Sequence, residues 1–315
     1  MLAVIGALFA NALIAVLKLA AAVVTGSSGM MAEALHSVAD TMNQIFLLLG
    51  LRFYKRPASG KHPFGHGKER FFWSFIAAIF IFGVGATYAI YEGIEKLAHP
   101  HPPTNLFWAY AVLALSFLLE GCSIAVAIYQ ELGEARHEGL SFADYLRESK
   151  DPTAKTVLFE DTAALIGIII AAAGLVLTEY QVGGRVGAYW DGVASIAIGL
   201  VLAVVAFTLA RTSRGLLLGE AASPKVIAAI QRAIESHPNV ESVVELLTMH
   251  LAPKQILINA HVKLRSGLVT GDIEKSIEEI EERIKRAEPK VEMIFLEAAR
   301  PGHIDNFRTV AEHIG

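Results

Sequence analysis

Six stretches of the chain are almost continuously apolar, each near the roughly 20 residues a helix needs to cross a hydrocarbon core. They lie near Leu2–Val24, Met31–Phe53, Phe71–Leu97, Phe107–Gln130, Val157–Thr178 and Ala188–Leu209. The first is too long for a signal-peptide core, lacks a basic leader and runs into a second span, so it reads as a span. From Ser223 onward the pattern changes. Ser223-Pro224 reads as an N-cap with proline at the first helical position, and Ile227, Ile230 and Ile234 form one face. Val240–Leu251 and Gln255–Leu264 read as strands. Thr270–Ala287 is a charged helix with Ile273, Ile277, Ile280 and Ile284 on one stripe, stopped by Pro289. Val291–Leu296 reads as a third strand. The expected fold is a membrane all-α six-helix bundle followed by a small α+β unit of order α-β-β-α-β.

Composition sharpens this division. Of 315 residues 54% are hydrophobic and 18% charged, and the mean hydropathy is +0.47. A purely soluble domain carries about 25% charge. Residues 1–210 hold 13 Lys and Arg, whereas residues 211–315 hold 14, with 15 Asp and Glu. The expected organisation is a transmembrane domain over 1–210 and a soluble domain over 211–315. A net charge of −4 gives no electrostatic footprint for nucleic acid. The single cysteine, Cys122, excludes an intramolecular disulfide and cysteine-rich zinc sites.

Basic residues also orient the spans. Arg52, Lys55, Arg56, Lys61, Lys68, Arg70, Arg136, Arg147, Lys150, Lys155, Arg211 and Arg214 flank or fill the even loops and the start of the tail. The opposite loops hold only Lys96 and Arg185. This places the even loops and both termini in the cytoplasm. In the fourth loop, Ser141 opens a segment that reads equally as a short surface helix or a solvated loop.

Charged groups inside a span cost at least about 2.5–3.5 kcal/mol and call for an explanation. His36 and Asp40, four residues apart in span two, share one helix face. They read either as ligands of one divalent cation or as a hydrogen-bonded pair. Glu160 and Asp161 stand in span five, where a snorkelling role near the cytoplasmic end is the alternative. Together the two pairs offer one imidazole and three carboxylates, enough for a four-ligand site. Asn43 and Glu120 read first as interhelical hydrogen-bonding groups, with support of the metal ligands or a proton path as the alternative, Lys18 as snorkelling outward and Asp191 as solvated near the outer end of span six.

The residues Leu35-His36-Ser37-Val38-Ala39-Asp40, His62-Pro63-Phe64-Gly65-His66-Gly67-Lys68 and Asp161 resemble the cation diffusion facilitator family. The resemblance extends over almost the whole chain. It implies a homodimeric membrane carrier that exports divalent metal, usually zinc, from the cytoplasm in exchange for protons. It also implies a metallochaperone-like cytoplasmic tail, and no enzymatic activity. His36, Asp40 and Asp161 are then transport-site ligands. The position four residues before Asp161, where the family carries His or Asp, is Val157 here. Glu160 stands in as the fourth ligand, against the alternative of three ligands and a water. His261 matches a family position for a regulatory metal in the tail, but Leu296 occupies the place of a second histidine. His250 and His261 read first as ordinary strand histidines, His62 and His66 as loop-shaping residues or metal-delivery groups, and Lys68 as a partner for Glu220.

The expected mechanism is ion exchange. Metal ligands must shed protons, so acid favours release, and histidine titrates near pH 6.5. No GxxxxGK[ST] loop for ATP is present. Manganese, cobalt and iron also suit a carboxylate-rich donor set, although the resemblance favours zinc. No prosthetic group is expected. A non-transporting metal-sensing membrane protein is the rival class. An intramembrane aspartyl protease is disfavoured because Asp40 and Asp161 lack a Gly-x-Gly-Asp context.

Overall fold

The computed structural model describes residues 2–137, 139, 141–148, 152–180 and 185–298. Lys150, Asp151 and the last 17 positions of the expected soluble domain, 299–315, lie outside the described residues. The chain divides into two units, one of residues 1–56 and 69–214, the other of 57–68 and 215–315.

The first unit is helical. Its elements are α1 (Leu2–Thr25), α2 (Ser28–Phe53), α3 (Glu69–Phe80), α4 (Thr87–Ala98), α5 (Leu106–His137), α6 (Phe142–Glu148), α7 (Pro152–Tyr180) and α8 (Arg185–Leu218, whose last residues fall in the second unit). A π-helical segment, Ile81–Ala86, joins α3 to α4 without a break. Among the described residues, four helical runs are long and apolar enough to cross a membrane: Glu69–Ala98, Leu106–His137, Thr156–Tyr180 and Ala188–Leu218. α1 and α2 are continuous helices where the first two spans are expected. Polar positions at Glu33, His36, Asp40 and Asn43 dilute the hydropathy of α2.

The packing suits a lipid environment, where helices are held by close backbone approach rather than by a hydrophobic drive. The core is rich in alanine, with Ala21, Ala22, Ala32, Ala86, Ala89, Ala109, Ala163 and Ala171 around Met30, Leu175, Ile198 and Leu202. α4 and α8 cross on glycines. A Cβ on Gly93 would sit 2.7 Å from the Gly192 carbonyl oxygen and 2.6 Å from Ile196. Phe107, Ile169, Leu200, Val204 and Phe207 point outward and exposed, as lipid-facing residues do.

Beyond the end of α8, the described residues of the second unit form two helices, α9 (Pro224–Glu235) and α10 (Thr270–Ala287), and a three-stranded sheet. The strands are β1 (Val240–Ala252), β2 (Gln255–Leu264) and β3 (Val291–Ala298), in spatial order β1-β2-β3. β1 pairs antiparallel with β2, and β2 pairs parallel with β3. Ser223 caps α9 by accepting from Val226 N–H. Ile230 and Ile234 of α9, Ile280 and Ile284 of α10 and Ile256, Ile258, Ala260 and Val262 of β2 form one core. The α-β-β-α-β order expected from periodicity is therefore observed. Residues 57–68 also belong to this unit. A Cβ on Gly67 would meet Ala252 at 2.8 Å, and Lys68 Nζ donates to the Leu217 carbonyl at 3.3 Å.

Candidate metal centre

α2 builds most of the polar interior. Its buried Glu33, His36, Ser37, Asp40 and Asn43 recur at intervals of three and four, which keeps them within one helical sector. His36 Nε2 lies 3.5 Å from Asp40 Oδ2. Opposite, α7 contributes Glu160, which is buried and accepts a hydrogen bond from Asn43 Nδ2. Asp161 is half-buried and turns to α5, where its Oδ2 accepts from Ser123 Oγ at 2.8 Å. Asp40 is near enough to Glu160 and Asp161 for their charges to act on one another. The π-helical segment packs beside this stretch, with a Cβ on Gly85 falling 3.8 Å from that of Ala39. Such π segments are frequent at functional sites.

The structure therefore pairs His36 with Asp40 and ties Glu160 to the same helix. It gives Asp161 a separate hydroxyl partner. Among the described residues no three His, Cys, Asp or Glu side chains are drawn closely enough together to hold a metal ion. Val157 is half-buried and offers no donor atom.

The donor chemistry nevertheless suits a cation. Both ring nitrogens of His36, Asp40 Oδ1 and Glu160 Oε1 are buried without a hydrogen-bond partner. Buried acceptors left this way cost several kcal/mol. A divalent ion held by one ring nitrogen of His36, by Asp40 Oδ1 and by Glu160 Oε1 would satisfy three of these four atoms at once.

Three residues escaped the sequence reading. Lys18 does not snorkel outward: it is fully buried and donates to Glu33 Oε2 at 3.0 Å. Asp191 is not solvated. It is fully buried, accepts from Ser27 Oγ and from the Ser28 and Gly29 N–H groups, and lies 3.4 Å from Lys96 Nζ. Ser123 carried no signal at all. Ser141 does open a short helix, α6, and accepts from Asp144 N–H.

In the second unit, His261 stands in a charged row across the sheet. Its Nδ1 is 3.4 Å from Glu245 Oε2 and its Nε2 is 3.0 Å from Glu297 Oε2. His250 is buried one register pair from the β1–β2 turn. His62 and His66 have ring centroids 4.5 Å apart.

Residues 4–218 match the cation efflux transmembrane domain and residues 222–296 the cation efflux cytoplasmic domain. The chain belongs to the cation efflux family. Members are transporters rather than enzymes. This cation efflux chain is 35% identical over 291 residues to the Xenopus laevis proton-coupled zinc antiporter SLC30A9, mitochondrial, covering 90% of itself and 51% of that protein. It is 34% identical over 267 residues to Metal tolerance protein C4 of Arabidopsis thaliana, covering 85% and 58%. It is 27% identical over 280 residues to the cation-efflux pump FieF of Shewanella oneidensis, covering 88% and 86%. The chain thus spans about half the length of SLC30A9.

Proposed function

We propose that this cation efflux protein exports zinc from the cytoplasm in exchange for protons, working as a homodimer. His36, Asp40, Glu160 and Asp161 take the metal. In this reading α1 and α2 complete a six-span transport domain over 1–210, with both termini and the domain over 211–315 in the cytoplasm. The observation that carries it is the buried His36–Asp40 pair with unsatisfied donor atoms, set beside a Glu160 that Asn43 ties to the same helix. The SLC30A9 and FieF relatives point the same way.

The residues act by ion exchange. His36 and the acids bind the metal in their deprotonated forms, so loading expels protons and uptake of protons expels metal. Asn43 orients Glu160, and Ser123 holds Asp161 until the carboxylates converge on the ion. Rocking of helices about the site then alternates access.

Zinc uptake into proteoliposomes under an imposed pH gradient tests the proposal. His36→Ala and Asp40→Ala are expected to abolish uptake. Wild-type rates in either variant end the reading. Glu160→Gln isolates the fourth ligand: reduced zinc affinity places Glu160 on the metal, and unchanged affinity leaves three ligands and a water. The carboxylate-rich donor set also favours trials with manganese, cobalt and iron. Metal binding without transport, with affinity surviving in His36→Ala, would instead favour a sensor using groups such as His261.

A further inference from the structure

A second buried charge cluster adjoins the proposed metal centre. Lys18 of α1 is fully buried, as is Glu33 of α2, and Glu120 of α5 is nearly so. Lys18 Nζ is 3.0 Å from Glu33 Oε2 and 3.9 Å from Glu120 Oε1. The other Glu33 oxygen has no hydrogen-bond partner and rests over the bare backbone of α7, where a Cβ on Gly167 would fall 2.1 Å away. Three helices thus bury one ammonium between two carboxylates, and a fourth supplies a glycine that leaves room for them.

Burying such groups is expensive, and a buried ion pair is weak support for stability. Its location suggests another role. Glu33 is three residues from His36 on the same sector of α2. Lys18 and Glu33 lie within electrostatic reach of Asp40, and Glu120 within reach of His36, Asp40 and Asp161.

We infer that Lys18 is a tethered counter-ion that lets the emptied carrier reset. This rests on the transport reading above. When a divalent cation leaves, the acids of the centre lose two positive charges of compensation. Incoming protons restore part of that charge, and Lys18 contributes a fixed positive charge that never leaves the protein. Without it, the empty form buries an uncompensated acid during its return, at a cost that low dielectric magnifies. In the loaded form the two charges of the metal act on Glu33 and Glu120 as well, so Lys18 matters less there than in the empty form. Lys18 is therefore a positioning residue for the charge of the empty state, and it does not ligate zinc.

Exchange and net transport separate these two states. Zinc–zinc exchange into zinc-loaded vesicles uses only the loaded carrier, whereas net zinc uptake requires empty return. Lys18→Gln is expected to lower net uptake about tenfold or more while keeping exchange within about twofold of wild type, the scale of an uncompensated buried charge. Lys18→Arg, which keeps the charge, is expected to behave as wild type in both. Equal loss of exchange and net uptake in Lys18→Gln would mark a structural residue and overturn the inference. So would unimpaired net uptake, or an Lys18→Arg variant that behaves like Lys18→Gln. Wild-type vesicles showing neither exchange nor net uptake would remove the transport reading itself, and the inference with it.

Discussion

Gly167 shows how tightly single residues are constrained around the polar interior. An added methyl at this position meets the far end of the Glu33 side chain, which ordinarily would swing aside. Here the other Glu33 oxygen is held by Lys18 in a fully buried setting, so moving it breaks the ion pair. Gly167→Ala is therefore expected to destabilise the protein by about 1–3 kcal/mol, the usual cost of overpacking. A lower melting temperature in detergent, with Gly167→Ala costing less in a Glu33→Ala background than in the wild-type chain, would verify this. The same neighbourhood explains which site residues were legible. His36 and Asp40 could be read because four-residue spacing on a helix guarantees a shared face. Lys18 and Asp191 were misread because snorkelling and solvation are the cheap fates of a charge near a span end. Their actual partners lie on other helices: Glu33 is 15 positions from Lys18, and Ser27 is 164 from Asp191. Periodicity within one segment carries no information about such pairings. Glu160 was chosen only to make up for Val157, and its link to Asn43 emerged from the packing of α2 on α7.

At the scale of elements, helix starts and stops were legible wherever a local chemical signal marks them. The bounds expected for Gln255–Leu264 and Thr270–Ala287 match β2 and α10, because turn residues and Pro289 end those patterns on the spot. The π-helical segment Ile81–Ala86 left no such mark in the apolar periodicity. The start of α2 combines both cases. Ser27 is a local cap that accepts from Met30 N–H, but Asp191 of α8 adds a carboxylate across the same N-terminus, where the helix dipole favours negative charge. Lys96 balances that carboxylate from α4. Asp191→Ala strands the buried Lys96 ammonium and is expected to cost about 3–5 kcal/mol. Thermal unfolding in detergent is the check, with Asp191→Asn between the variant and wild type. In the second unit, the buried His237 faces Glu279 of α10 at 3.0 Å, and this hydrogen bond holds the Glu279 carboxyl below its usual value of 4.5. A depressed folded-state value means the stabilisation is present above about pH 4.5 and is lost as the pH falls through the lowered value. Glu279→Gln is therefore expected to melt below wild type near neutrality, with the two curves converging in acid. A gap that widens on acidification would contradict this.

For the whole molecule, the alternation of apolar spans and a charged tail leads to an expected division at residue 210, and the chain groups into units of 1–56 with 69–214 and of 57–68 with 215–315. Periodicity gave no sign that residues 57–68 group with the C-terminal unit, because a short Gly-Pro-His loop has none of its own; the expected partnership of Lys68 with Glu220 pointed that way. On the proposed reading, metal and protons are linked over the whole proposed ligand set. His36, Asp40, Glu160 and Asp161 stand on two helices, and a cation they held would require at least some of them to give up protons. Zinc binding to the 315-residue chain is then expected to weaken as the pH falls, by about one decade per pH unit for each proton displaced. The displaced protons are taken up by the buffer. Calorimetric heats of zinc binding measured at one pH in two buffers of different ionisation enthalpy should therefore differ in proportion to their number. His36→Ala and Asp40→Ala should lose both the heat and its buffer dependence. Zinc heats that are the same in both buffers, with affinity flat across pH, would show that the cation enters a centre already free of protons, and the exchange mechanism would then lack its driving step.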